Sequence, residues 1–275
     1  MDSRRLAYLR ALDVDVWERR DLPRAEPAAL TPDIAANPQQ AESARSAAVS
    51  AAVHPIGRTS AARALAPQES PAVYDPGHAA GLDWEALEQA IRGCQRCPLH
   101  QTRTQGVVGV GNRQASWLVI GEAPGMDEDR QGEPFVGRAG QLLNSMLKAM
   151  GLARGDVYIA NILKSRPPNN RDPRPEEVRE CIPYLYRQIE LVNPRLILCV
   201  GRIAAQTLLG TDTPIGKLRG KLHHLAPMHP SAAPRPMIVT YHPAYLLRSP
   251  AEKRKAWGDL VLAMQTYERL GGATA

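Results

Sequence analysis

Three things are scarce in this 275-residue chain: aromatic residues, cysteines and long apolar runs. Phe135 is the only phenylalanine, and it sits in a Gly- and Pro-rich loop where a core role is not expected. Only four cysteines are present, too few for a disulfide framework; two form Cys94-Gln95-Arg96-Cys97, a spacing that in a reducing compartment points to metal binding or redox chemistry. The first twenty residues, MDSRRLAYLRALDVDVWERR, are interrupted by charge every few positions. They hold no apolar core long enough for a signal sequence or a membrane span, so a cytoplasmic protein without membrane association is expected.

What is present supports a folded enzyme-sized domain. Hydrophobic residues make up 44% of the chain, enough for a sizeable core. The formal charge of +6 favours an anionic partner, because clustered Lys and Arg release counterions when they neutralise phosphates. A merely basic, soluble surface is the alternative that charge alone leaves open.

Residues 1–21 carry Leu6, Leu9, Leu12 and Trp17 among charges and read as one short amphipathic helix, suited to docking on a protein partner. Residues 22–82 are dominated by Ala, Pro and small polar residues without apolar periodicity, the composition of a disordered linker. The folded domain is expected over 83–270, opening with Asp83 as N-cap of a helix that presents Trp84, Leu87 and Ile91.

Four apolar runs bounded by breakers read as buried strands: Trp117–Ile120, Val157–Ile162, Leu196–Val200 and Met237–Tyr241. Helical patterns lie between them, with apolar positions at Leu142, Leu143, Met146, Leu147 and Met150, then at Val178, Ile182, Leu185, Ile189 and Val192, then over Ala204–Leu209 before Gly210. Pro183 is expected to kink or split the second of these helices, Ile215–Leu225 reads as a hairpin insertion, and a last helix carries Trp257, Leu260, Val261 and Met264. Alternating strands and helices imply an α/β fold, a three-layer α/β/α domain around a central four-stranded parallel sheet.

Ligands of open parallel sheets bind beyond the carboxyl ends of the strands. The segments there are Gly121-Glu122-Ala123-Pro124-Gly125, Asn161 with Lys164-Ser165-Arg166, Gly201-Arg202 and His242-Pro243-Ala244-Tyr245-Leu246-Leu247-Arg248. A carboxylate and an imidazole on opposing loops can stabilise a cation and an anion as a bond between them separates, and an Asn amide can read a donor-acceptor pair on a base edge. For any one of these residues, loop capping or solvation is the commoner role.

Together they form three long motifs in order. GEAPG at Gly121–Gly125 continues as MDEDRQGEPFVGRAGQLL through Leu143; YIANILKSRPPNNRDPRPEEVREC spans Tyr158–Cys181; YHPAYLLR spans Tyr241–Arg248. With them the chain resembles the family 4 uracil-DNA glycosylases across nearly all of residues 90–265. The resemblance implies excision of uracil from DNA by hydrolysis of its N-glycosidic bond, leaving an abasic site and an uncut backbone.

It also assigns roles. Phe135 would stack on the extruded uracil, and Asn161 would bond its N3 and O4 edge, a pattern that cytosine reverses. His242 would face O2, where negative charge gathers as the glycosidic bond lengthens. Glu122 would orient water and stabilise the cationic sugar, with Glu128 as a second acid that helps to position the site, through the histidine. Gly121 belongs to the base pocket, and so does Ala123, at the place where better-known uracil glycosylases carry a catalytic Asp. Tyr245, Leu246 and Leu247 resemble the wedge that fills the vacated stack, with Arg248 on a phosphate. Arg138, Lys164, Arg166 and Arg171 would be further phosphate contacts, or else a solvated rim.

Family members carry a [4Fe-4S] cluster on four cysteines. Cys94, Cys97 and Cys181 match three of them; the remaining ligand lies in a Lys-Cys-Arg-Pro-Pro run that here reads Lys164-Ser165-Arg166-Pro167-Pro168. Ligation by Ser165, a substitute donor such as Cys199, and zinc on three cysteines all remain open. The expected partner is uracil-containing DNA, bound by a monomer. The alternatives are a superfamily member that binds uracil-containing or damaged DNA without turnover, and an interaction module of the replication machinery.

Overall fold

The computed structural model describes residues 77–227 and 232–272. The helix expected over 1–21 and all of the linker expected over 22–82 except its last six residues lie outside them. One of those six residues anchors the segment: Gly77–Ala79 forms a turn of 3-10 helix whose Ala79 is fully buried in one cluster with Leu87 and Tyr184. The folded region therefore begins before Asp83, because a short apolar contact anchors a segment whose composition alone reads as unstructured.

The strands are β1 (Val110–Gly111), β2 (Trp117–Gly121), β3 (Val157–Asn161), β4 (Leu196–Val200), β5 (Leu222–Leu225) and β6 (Arg235–Thr240). Among the described residues they form one six-stranded sheet in the order β1-β3-β2-β4-β6-β5. Its centre, β3-β2-β4-β6, is parallel throughout and consists of the four strands expected from sequence. Two antiparallel edges are added, β1 on β3 and β5 on β6. Thus Ile215–Leu225 is no hairpin insertion: Ile215–Leu218 is a helical turn, and the chain reverses at Gly220 (φ 75°) into edge strand β5.

The helices are α1 (Trp84–Arg92), α2 (Met126–Gln131), α3 (Arg138–Ala149), α4 (Pro175–Val192), α5 (Arg202–Leu209), α6 (Ile215–Leu218), α7 (Pro243–Arg248) and α8 (Lys253–Arg269). Asp83 caps α1, its Oδ1 accepting the Ala86 amide at 2.9 Å. α4 runs unbroken through Pro183, against the expectation of a split; burial of Ile182 and Leu185 against the strand residues holds the helix on the sheet on both sides of the proline.

Strand side chains alternate between two cores. Trp117, Val119, Leu198 and Val200 face the layer of α3, α7 and α8, whereas Leu118, Ile120, Ile197 and Cys199 face α4 and α5. Leu118 and Ile120 are fully buried, and each such side chain stabilises the fold by about 1.5–3 kcal/mol. A third cluster seats α1 against α4 through Leu87, Ile91, Leu99 and Tyr184. No helix among the described residues is long and apolar enough to cross a membrane.

Candidate functional site

The parallel ladder delivers the site residues to one edge. Gly121 and Asn161 are register partners at the ends of β2 and β3. Pairing continues past both strands, with the Ile162 amide donating to the Gly121 carbonyl and the Leu163 amide to that of Glu122, each at 2.9 Å. Next to them, β4 ends at Gly201 and β6 runs into His242. A cavity of about 700 Å³ opens there, lined by Glu122, Ala123, Glu128, Phe135, Asn161, Asp172, Arg202, Tyr241, His242, Tyr245 and Arg248, among others.

Phe135 forms one wall. Its ring lies 5.5 Å from that of His242, tilted by 30°. The backbone adopts φ 56°, a strained conformation for a residue with a side chain, which other contacts must hold. Glu128 supplies three of them. Its Oε1 accepts the amides of Val136 (2.9 Å) and Gly137 (3.0 Å), and its Oε2 accepts that of Gly125 at 3.1 Å. Arg154 donates from the other side to the carbonyls of Phe135 and Pro134. Glu128 thus acts on the aromatic loop, not through the histidine as expected.

Two glycines permit the closeness of these groups. A Cβ on Gly121 would stand 2.5 Å from both the Phe135 ring and Asn161 Oδ1, and one on Gly201 (φ 105°) would stand 3.1 Å from His242 Cβ. Asn161 is 3% exposed and its Oδ1 has no hydrogen-bond partner. A buried carbonyl oxygen without a donor is costly, and this one belongs to a residue that lines the cavity.

His242 accepts the Ala244 amide on Nδ1 at 3.2 Å, which leaves the proton on Nε2. Burial, reinforced by the Arg248 guanidinium, pulls its pKa down to about 4, so the ring is neutral at physiological pH. Glu122 is shifted the other way: burial and the nearby Asp172 carboxylate raise it to about 7, against a smaller opposing pull from Arg202. Arg202 and Asp172 pair across the cavity mouth at 2.6 Å. Sequence reasoning missed Asp172 and Arg154, which no local pattern distinguishes, while Gly201-Arg202 was marked by its place at a strand end.

Other expected contacts are redistributed. Lys164 cannot hold phosphate: it is 1% exposed, and its Nζ donates to the Asn161 carbonyl (2.8 Å) and to Gln188 Oε1 (2.6 Å). Arg171 is bound to the buried Glu177 through both guanidinium nitrogens, which fixes it in the fold. Leu246 is 1% exposed in the core beneath α7 and cannot enter a base stack, whereas Tyr245 is exposed and Leu247 partly so. Arg138 and Arg248 are exposed at the rim, and Arg166 is partly exposed with its Nε on Asn170.

Cys94, Cys97 and Cys181 pack in one cluster beside Tyr184. Burial raises the Cys181 thiol to about 12 and lifts that of Cys97 as well. Ser165 is 4% exposed, and its hydroxyl accepts a 2.7 Å bond from Arg103, which also donates to the Cys94 carbonyl at 2.9 Å. Cys199 lies instead in the core between β2, β4 and β6, with the second packing cluster. Among the described residues, no three His, Cys, Asp or Glu side chains stand close enough to hold a single metal ion.

The protein is a three-layer α/β domain that gathers an aromatic wall, an amide oxygen without a partner and a neutral imidazole at its strand ends. Residues 108–261 match the model of the uracil DNA glycosylase superfamily. The chain is 47% identical over 182 residues to a type-4 uracil-DNA glycosylase of Archaeoglobus fulgidus, covering 64% of this chain and 90% of that protein. It is 40% identical over 185 residues to one of Pyrobaculum aerophilum (66% and 93% covered) and 43% identical over 166 residues to one of Thermotoga maritima (60% and 83%). The chain belongs to the uracil DNA glycosylase superfamily. Within it, the branch is that of the type-4 enzymes.

Proposed function

We propose that this protein is a DNA repair enzyme that extrudes deoxyuridine, hydrolyses its N-glycosidic bond and releases uracil, leaving an abasic site. The observation that carries this reading is the buried Oδ1 of Asn161, which lies without a partner beside Gly121 and the Phe135 ring and belongs to a residue lining the same cavity as His242. Uracil N3–H satisfies that oxygen, and the amide nitrogen donates to O4; cytosine offers an acceptor at the ring position and a donor at the exocyclic one. Phe135 contributes stacking, which is indifferent to base identity.

As the bond from C1′ to N1 breaks, its electron pair moves into the uracil ring and charge collects on O2. The neutral His242 donates a hydrogen bond from its Nε2–H there and stabilises the charge as it forms, keeping its own proton. The ionised form of Glu122, whose pKa is raised to about 7 by burial and by Asp172, orients the water that adds to C1′ and takes up its proton. Extrusion of the base costs a few kcal/mol; Tyr245 and Leu247 on α7 occupy the gap, while Arg248 and Arg138 hold phosphates.

The same reading gives the chain an iron-sulfur cluster tying the Cys94–Cys97 segment to the loop after β3. Cys94, Cys97 and Cys181 would supply three soft thiolates to hold it, and Ser165, in place of the family's fourth cysteine, would supply an oxygen donor. Its contribution is structural, since hydrolysis requires no electron transfer.

A duplex oligonucleotide bearing one uracil tests the activity. The enzyme should convert it to an alkali-labile product, with Asn161→Ala and His242→Ala strongly impaired. A mobility shift without a labile site would identify a binding protein instead.

A further inference from the structure

The sheet stops short at the residue that reads the base. β1 pairs with β3 only at Val110↔Ile159 and Gly111↔Tyr158. Continued by two residues, this antiparallel register puts Val108 opposite Asn161, and the Asn161 carbonyl points to that side, since Ile162 and not Asn161 bonds to β2. The two segments meet again beyond Asn161, where the Val107 amide donates to the Lys164 carbonyl at 2.8 Å, but none of these loop amides reaches the Asn161 carbonyl. Two buried side chains close the gap: Lys164 Nζ donates to the Asn161 carbonyl at 2.8 Å and to Gln188 Oε1 at 2.6 Å, and Gln188 Nε2 donates onward to the Val108 carbonyl at 2.8 Å. A further bond of 3.2 Å joins Gln188 to the Tyr158 hydroxyl.

Lys164 and Gln188 are 1% and 0% exposed. Burying an ammonium is expensive unless its donors are satisfied, and a core apolar residue would fill the volume at lower cost. Ile162 and Leu163 hold the end of β3 to β2, but an unbridged Asn161 carbonyl would leave the opposite side of Asn161, and with it the orientation of its amide, without a restraint. We propose that Lys164 and Gln188 form a side-chain rung that replaces the missing ladder bond and fixes the orientation of the Asn161 amide. Both are positioning residues that set selectivity for uracil, and the inference rests on the glycosylase reading of the site.

Two consequences separate this role from a general contribution to stability. Loss of the rung should lower kcat and the preference for uracil while sparing KM for DNA, because phosphate contacts lie on other elements. It should also have no effect once the Asn161 side chain is gone.

The test is a double-mutant cycle on the full chain with uracil-bearing duplex. Lys164→Met and Gln188→Met, each made alone and in an Asn161→Ala background, keep the volume and remove the rung. Single-turnover excision should fall about 10- to 100-fold in each variant, the order expected from an angstrom-scale misplacement, with KM unchanged and uracil-over-cytosine selectivity reduced. On the Asn161→Ala background the further loss should be less than twofold. Wild-type excision measured alongside isolates the underlying reading: if wild type is inactive, the glycosylase assignment fails first. Given active wild type, full rates and selectivity in both Met variants would overturn the rung, and so would losses that multiply with that of Asn161→Ala. Gln188→Met keeps the lysine in place, so it remains informative should Lys164→Met melt early.

Discussion

Gly121 and Phe135 are in contact only because Gly121 lacks a side chain: a Cβ there would lie 2.5 Å from the ring, inside any tolerated separation. Phe135 cannot retreat, since its carbonyl is held by Arg154 and the amides after it by Glu128. Gly121→Ala should therefore displace the ring or the Asn161 amide and cut excision by about 100-fold. Steady-state kinetics with a melting curve check this, and a displaced ring predicts loss in kcat without loss of fold.

Acidity separates the two polar groups of the site. Glu122 near 7 predicts an excision rate that rises with pH through one ionisation at about that value, and Glu122→Gln should flatten this limb. His242, near 4, should add no inflection above about pH 5. The stability effect has a defined sign. A carboxyl whose folded pKa is raised stabilises the protein below its unfolded value near 4.5 and loses that contribution as pH rises through 7. Glu122→Gln should thus melt several degrees above wild type at pH 8, with the gap closing toward pH 4.

The two leucines of α7 should behave oppositely. Leu246→Ala empties a core position and should destabilise the fold by about 2–5 kcal/mol. Leu247→Ala should leave the melting temperature within a few degrees, yet slow excision from duplex more than from single-stranded DNA, where no stack needs filling. Paired denaturation and excision assays distinguish them.

If Ser165 stands at a ligand corner, Ser165→Cys should raise iron and acid-labile sulfide per chain in anaerobically purified protein. Cys199→Ala, in a separate core cluster, should leave both unchanged. The opposite pattern would place Cys199 among the ligands.

The parallel core was legible because its strands are buried on both faces, which writes Trp117–Ile120 and Leu196–Val200 as continuous apolar runs. The edges were not: β1 is two residues long, and β5 contains His223 and His224, so neither leaves a periodic trace. Strand-end loops announced Glu122, Asn161 and His242, since parallel sheets gather ligands there. What each side chain does afterwards depends on contacts distant in sequence. Lys164 sits in a motif as a phosphate ligand would, yet in the fold it is buried with its Nζ on Gln188, 24 residues away. Glu128 read as an acid for the histidine until the loop amides of Val136 and Gly137 were found on its oxygens.

The central claim is that an aromatic wall, an oriented amide and a neutral imidazole together select and release one base. Mass analysis of the base freed from otherwise identical strands bearing uracil, cytosine or thymine at one position tests it most directly. The account predicts free uracil from the first strand alone, and a yield that collapses in Asn161→Ala and His242→Ala. Release of cytosine at a comparable rate, or uracil release that persists in both variants, would contradict it.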